Sequence, residues 1–115
     1  MTTVYGIKNC DTMKKARRWL DEHNVAYEFH DYKKDGIDEK TLQGWCKKLG
    51  WETLLNRRGT TWRKLPDKVK DNINEKAAIN VMLENPSIIK RPVIKAGSEY
   101  LVGFDELEYR KAFGS

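Results

Sequence analysis

Two periods of apolar and polar positions alternate along this chain, and the switches between them mark its elements. Thr3 to Ile7 is a β-branched and aromatic run that reads as a first strand. Met13, Ala16, Leu20 and His23 then recur at helical spacing with Trp19 beside them, which predicts a helix to about Glu22 or His23. Val25, Tyr27 and Phe29 alternate with Ala26, Glu28 and His30, the period of a second strand whose histidine faces away from the apolar side. Strand, helix and strand in close succession form a βαβ unit, with a parallel pair and a right-handed crossover.

Helical spacing dominates the middle. Asp38 reads as an N-cap, with Ile37 and Leu42 at the two positions of a hydrophobic staple. Leu42, Trp45, Cys46 and Leu49 follow as an apolar stripe, and Gly50 can close that helix. Trp51 to Leu55 reads as a short helical turn, Pro66 as the start of another helix, and Asn74 as the cap of one running to Glu84. Strands return at Val93–Lys95 and Tyr100–Val102, around a hairpin turn at 96–99. Asp105 opens a capping box for a last helix, with Phe104 and Tyr109 placed to staple it. The order βαβ, helices, ββα predicts one α/β domain over 1–115, a mixed sheet and a helical insertion at about 37–86.

Composition narrows the class. The chain has 115 residues, enough for a real core, and its charged fraction of 34% suits a soluble globule. No apolar run approaches a membrane span and no signal or transit peptide is visible, so a cytoplasmic protein with no membrane partner is expected. Two cysteines 36 positions apart are expected as free thiols, and with two histidines they stand at no metal-ligand spacing, so no metal is expected. The net charge of +5 comes mostly from Lys and Arg interleaved with Asp and Glu. The exception is Asn56–Lys64, a basic segment with Gly59 and Trp62 and little helical period, open to a phosphate, a carboxylate, nucleic acid or plain solvent.

Two positions carry candidate chemistry. Cys10 lies where the first strand hands over to the first helix, so backbone N–H groups and the helix dipole favour thiolate, the attacking form. Lys8, Lys14 and Lys15 add positive charge, and the Thr12 hydroxyl is within chain reach of a thiolate or ligand oxygen. Cys46, on the apolar stripe, reads as core packing. In Lys90-Arg91-Pro92-Val93, a proline at a strand entry cannot donate to the ladder, and Arg91 can present a cation to an anion.

With that element order, the segments Tyr5-Gly6-Ile7-Lys8-Asn9-Cys10-Asp11-Thr12, Met82-Leu83-Glu84-Asn85-Pro86, Ile88-Ile89-Lys90-Arg91-Pro92 and Leu101-Val102-Gly103-Phe104 make the chain resemble the arsenate reductase family. This branch of the thioredoxin-like fold includes the ArsC reductases, the Spx regulators and the small YffB-type proteins, and the likeness is closest to the last. The resemblance implies that Cys10 is the reactive thiol and that the Arg91–Pro92 bond is cis.

Departures from the family pattern shape the expected function. Arsenate reductases have a histidine four residues before the cysteine, where this chain has Gly6. Of their three oxyanion-binding arginines, Arg91 matches the second. Asn56, or Arg57 with a one-residue shift, aligns with the first, and Gly103 falls at the third. Arsenate is therefore not the expected substrate. Met13 stands where Spx proteins often carry a second cysteine, so no local resolving thiol is present. The resemblance then implies a thiol oxidoreductase with no bound cofactor and glutathione as co-substrate. Cys10 is the nucleophile in this reading. Lys8, Asn9 and Lys14 support the thiolate, Thr12 contacts the ligand, and Arg91 and Arg57 hold a carboxylate. The backbone beside Pro92 pairs with the bound peptide. A protein thiol or disulfide is the other candidate partner. Ranked second is an Spx-like interaction module binding a polymerase subunit or another protein, and nucleic acid ranks a distant third.

Overall fold

The computed structural model describes residues 2–8 and 10–114. The elements run β1 (Thr2–Gly6), α1 (Asp11–Glu22), β2 (Tyr27–Asp31), α2 (Tyr32–Asp35), α3 (Glu39–Leu49), α4 (Trp51–Leu54), α5 (Thr60–Arg63), α6 (Asp67–Asp71), α7 (Glu75–Glu84), a 3₁₀ turn (Pro86–Ile88), β3 (Val93–Ala96), β4 (Glu99–Val102) and α8 (Glu106–Phe113). They divide into two compact units, Met1–Asp35 with Arg91–Ser115, and Gly36–Lys90.

The first unit is a mixed four-stranded sheet in the order β2-β1-β3-β4. β1 and β2 run parallel, from Thr2↔Tyr27 to Gly6↔Asp31. β1 is antiparallel to β3, with Tyr5 opposite Val93, and β3 is antiparallel to β4, with Val93 opposite Val102. Val4, Ile94 and Leu101 form one buried cluster with Met13, Ala16, Trp19 and Leu20 of α1 and Tyr109 of α8. Burying each large apolar side chain of this kind stabilises the fold by about 1.5–3 kcal/mol. Gly6 belongs to the same packing. A Cβ there would collide with Met13 Sδ and lie 2.7 Å from its Cε, so Met13 occupies the space a side chain at position 6 would need.

Boundaries follow from local hydrogen bonds. Asn24 takes φ +57, a left-handed conformation that Asn tolerates better than most residues, and so turns the chain out of α1. The Val25 N–H then bonds the Leu20 carbonyl at 2.9 Å. This bond closes the end of α1, and β2 begins two residues later than the alternation alone indicates. At the other end, the Asp105 carboxylate accepts from the N–H groups of Leu107 and Glu108, and Phe104 meets the Tyr109 ring edge-on at 5.2 Å.

In the second unit, Asp38 caps α3 by accepting the Thr41 N–H at 2.7 Å, and Gly50, at φ +86, ends it. Asn74 caps α7 through the Ala77 N–H at 2.9 Å. Leu42, Trp45 and Cys46 of α3 are buried, as are Ala78, Ile79, Val81 and Met82 of α7, along with Leu54, Leu55, Ile88 and Ile89. Leu55 bridges Ile89, and the Lys90 N–H donates to the Leu54 carbonyl at 2.8 Å. The basic segment is not wholly irregular: α5 forms inside it. Among the described residues no helix is long and apolar enough to cross a membrane.

Candidate functional site

Strand directions in the first unit gather one set of residues. β1 and β2 are parallel, so their C-terminal ends lie together; β3 begins and β4 ends at that same edge of the sheet. Segments after parallel strands are where α/β sheets usually place their chemistry. Cys10 and Thr12 follow β1, Tyr32 follows β2, Arg91 and Pro92 precede β3, and Gly103 follows β4.

Cys10 is the N-cap of α1, in extended conformation at φ −141 and ψ 130. Its carbonyl accepts the Lys14 N–H at 3.0 Å, while its Sγ makes no capping hydrogen bond. The side chain is free and half-buried, packed along the margin of the cluster around Met13. A cap without a side-chain acceptor leaves the first N–H groups of α1 to other partners, and an anion at that position meets the positive end of the helix dipole. Thr12 is half-buried in the first turn, and Lys8 and Lys14 are exposed. Lys14 lines a shallow groove on α1 with Arg17, Arg18, Asp21 and Glu22. Asn9 lies outside the described residues.

Across the sheet end, the Arg91–Pro92 peptide bond is cis, as the family likeness implies. Pro92 is buried, and its carbonyl accepts the Gly103 N–H at 2.8 Å. Gly103 has φ +75, and its own carbonyl accepts the Tyr109 hydroxyl at 2.7 Å. The position expected for a third arginine is thus a left-handed glycine bonded on both sides of its peptide. Arg91 is half-buried, and among the described residues no carboxylate pairs with it.

Arg57 belongs to the second unit. Its guanidinium lies 5.1 Å from the Trp51 ring and 5.8 Å from the Trp62 ring, and 3.9 Å from a Glu52 carboxylate oxygen. With Arg58, Asn56, Leu55 and Lys90 it lines a cavity of about 390 Å³. The basic segment therefore holds its cation against aromatic faces, an arrangement that costs less freedom per contact than a lysine would.

Cys46 sits in the interior of α3 at 5% exposure. Burial pushes its thiol pKa up, and the Glu75 carboxylate adds to the rise. It is a protonated, packed thiol, as its place on the stripe indicates.

One cluster escapes the sequence pattern. His30 does face away from the side of β2 that carries Phe29, yet it is half-buried, 4.9 Å from the Tyr5 ring and 6.2 Å from the Tyr32 ring. Tyr32 is 3% exposed. The available signal was the even-numbered series Glu28, His30, Tyr32, which places an aromatic on the supposedly polar face one step past the strand.

Comparison with known proteins agrees with this architecture. The model of the ArsC family matches residues 5–112. The solved structure of the YFFB protein superposes with a TM-score of 0.95 at 56% identity, covering 97% of this chain and 98% of that one. An uncharacterized protein of Haemophilus influenzae is 49% identical over 98% of this chain and 99% of its own length. The global transcriptional regulator Spx of Streptococcus agalactiae is 30% identical over 96% of this chain and 81% of its own.

Proposed function

The chain belongs to the ArsC family, and from that premise we propose that it is a glutathione-dependent thiol oxidoreductase with Cys10 as its nucleophile. The observation that carries this reading is one end of a sheet holding both the half-buried Cys10 at a helix N-cap and the half-buried Arg91, whose guanidinium no described carboxylate neutralises. A thiolate and an open cation together suit a ligand that brings sulfur and carboxylate, which is the chemistry of glutathione.

In the first step the Cys10 thiolate attacks the glutathionyl sulfur of a mixed disulfide. A Cys10–glutathione disulfide forms, and the substrate sulfur leaves as a thiolate that takes a proton from water. A glutathione thiolate then attacks the glutathionyl sulfur on Cys10. Oxidised glutathione departs and the Cys10 thiolate returns. The substrate thus gains one thiol for each added glutathione consumed. Cys46 takes no part, since it is buried in α3.

Arg91 holds a carboxylate, Thr12 donates to a ligand oxygen, and Lys8, Asn9 and Lys14 favour the charged thiol. Because the Pro92 carbonyl is engaged by Gly103, the neighbouring backbone groups of Arg91 are the ones left to pair with the peptide. Arsenate is a poor fit, since Gly6 and Gly103 supply neither the histidine nor the third cation. The cycle requires a reducing compartment, the cytoplasm. The test is incubation with oxidised glutathione followed by mass spectrometry. One glutathionyl group on Cys10, absent in Cys10→Ser together with disulfide turnover, is the expected result. Turnover unchanged in Cys10→Ser defeats the proposal.

The likeness to a transcriptional regulator, spanning 96% of this chain, favours a second reading, an interaction module without turnover. Capture of a specific protein partner that survives Cys10→Ser, with no glutathionyl adduct on the wild type, is the outcome that selects it.

A further inference from the structure

Tyr32 presents a buried hydroxyl that the chemistry above leaves unexplained. Its oxygen is inaccessible to solvent and has no hydrogen-bond partner. A buried polar group left unbonded is destabilising, and most such groups in folded proteins are satisfied. The backbone here is firmly held: the Asp31 side chain accepts the Lys33 N–H at 2.9 Å, and the Asp31 N–H reaches the Asp35 carboxylate at 3.4 Å. The hydroxyl is thus kept in place without being used.

Register identifies what it is kept for. Val93, Tyr5 and His30 form one same-face row across β3, β1 and β2. Just past the last paired positions at the Cys10 end, Arg91 lies two residues before Val93, Ile7 two after Tyr5 and Tyr32 two after His30. Consistent with this, Arg91 and Tyr5 are the charged and polar groups that Tyr32 senses: burial raises its pKa most, Tyr5 adds to the rise and Arg91 opposes it. A guanidinium carries five N–H donors and no acceptor, whereas a phenolic oxygen accepts as well as donates.

We propose that Tyr32 is a positioning residue for Arg91, its buried hydroxyl accepting one guanidinium N–H while other N–H groups of the same guanidinium grip the carboxylate of an anionic thiol ligand. Binding of the anion fixes Arg91 and satisfies the hydroxyl in one event. The inference rests on the glutathione reading for the identity of the ligand, but the coupling of Tyr32 to Arg91 is independent of it.

Two measurements on the full chain separate these parts. The first is the ratio of Cys10 alkylation rates with iodoacetate, an anion, and iodoacetamide, which is neutral. The second is calorimetric binding of S-methylglutathione, which cannot form a disulfide. Arg91→Ala lowers the ratio, and Tyr32→Phe, which keeps the ring and removes one oxygen, lowers it and weakens binding about tenfold, as loss of a hydrogen bond to a charged group requires. The melting temperature of Tyr32→Phe is unchanged or higher, opposite to the loss of a structural bond. In an Arg91→Ala background the same change moves neither quantity further. An unchanged ratio in Tyr32→Phe, or an effect that persists in full without Arg91, overturns the proposal. If the ratio falls as stated while the wild type fails to bind S-methylglutathione, the positioning role stands and only the glutathione reading fails.

Discussion

Cys10 and Cys46 are the same functional group in two regions that treat it oppositely. At the β1–α1 junction the sulfur is half-buried at a helix end, near a dipole that welcomes negative charge and at the sheet edge that also holds Arg91. In the middle of α3 the sulfur is buried, and a carboxylate on α7 makes ionisation harder still. Residue type therefore says little about the surroundings a thiol meets here. What separates the two thiols is their surroundings: Cys10 is a half-buried N-cap at the start of α1, whereas Cys46 is buried beside the Glu75 carboxylate.

That contrast can be broken in graded ways. The largest effect expected is from Cys10→Ser, which removes every native-state adduct, whereas Cys46→Ser leaves adduct formation on Cys10 intact; thiol counting with and without denaturant checks both. Next is Leu42→Ala, which opens a cavity one helical turn from Cys46 and costs about 3 kcal/mol of stability. Chemical denaturation reads the loss, and native-state alkylation of Cys46 becomes faster while that of Cys10 does not. If both thiols speed up alike, the two regions are not energetically separate.

A smaller effect sits on the Cys10 side. Gly6→Ala forces Met13 from its place and destabilises the protein by about 1–2 kcal/mol. In a Met13→Ala background the same substitution fills part of the hole, so a double-mutant cycle gives a coupling of opposite sign to the single change. Additive energies mean that Met13 is not what excludes a side chain at position 6.

Smallest is an alkaline effect of the buried thiol. Its folded pKa is raised above the ordinary value of 9.0, so the folded state keeps a proton that the unfolded state has begun to lose. The stability it contributes is complete below about pH 9 and declines as pH rises beyond it. Denaturation midpoints between about pH 9 and 10 fall less steeply in Cys46→Ala than in the wild type, while Cys10→Ala leaves the contribution of Cys46 unchanged.

Much of this arrangement is legible in the sequence. Caps at Asp38, Asn74 and Asp105 and the stripe through Leu42, Trp45 and Cys46 are local signals, written within one or two helical turns, and they locate the helices they belong to. The hairpin around Gly97 is equally local. β2 was offset because Val25 satisfies its N–H backward onto α1, a bond that alternation cannot reveal. α5 has four residues, fewer than a periodic pattern needs to declare itself. At the site, Cys10, Arg91 and Pro92 could be singled out by type and position. Tyr32 shows in the sequence only as an aromatic continuing the polar face of β2; its unbonded hydroxyl and its electrostatic link to Arg91, 59 residues away, do not.

Met13 filling the space beside Gly6 also constrains how this chain can change over time. A histidine at position 6 cannot be reached by one tolerated substitution, because the side chain must first be given room by a smaller residue at position 13. The reverse order, room first, passes through a cavity in the core and loses stability before any gain. The two positions are thus expected to change as a pair in related sequences, small with large. The path from a thiol site like this one to a histidine-assisted one runs through the interior of the protein and not through its surface.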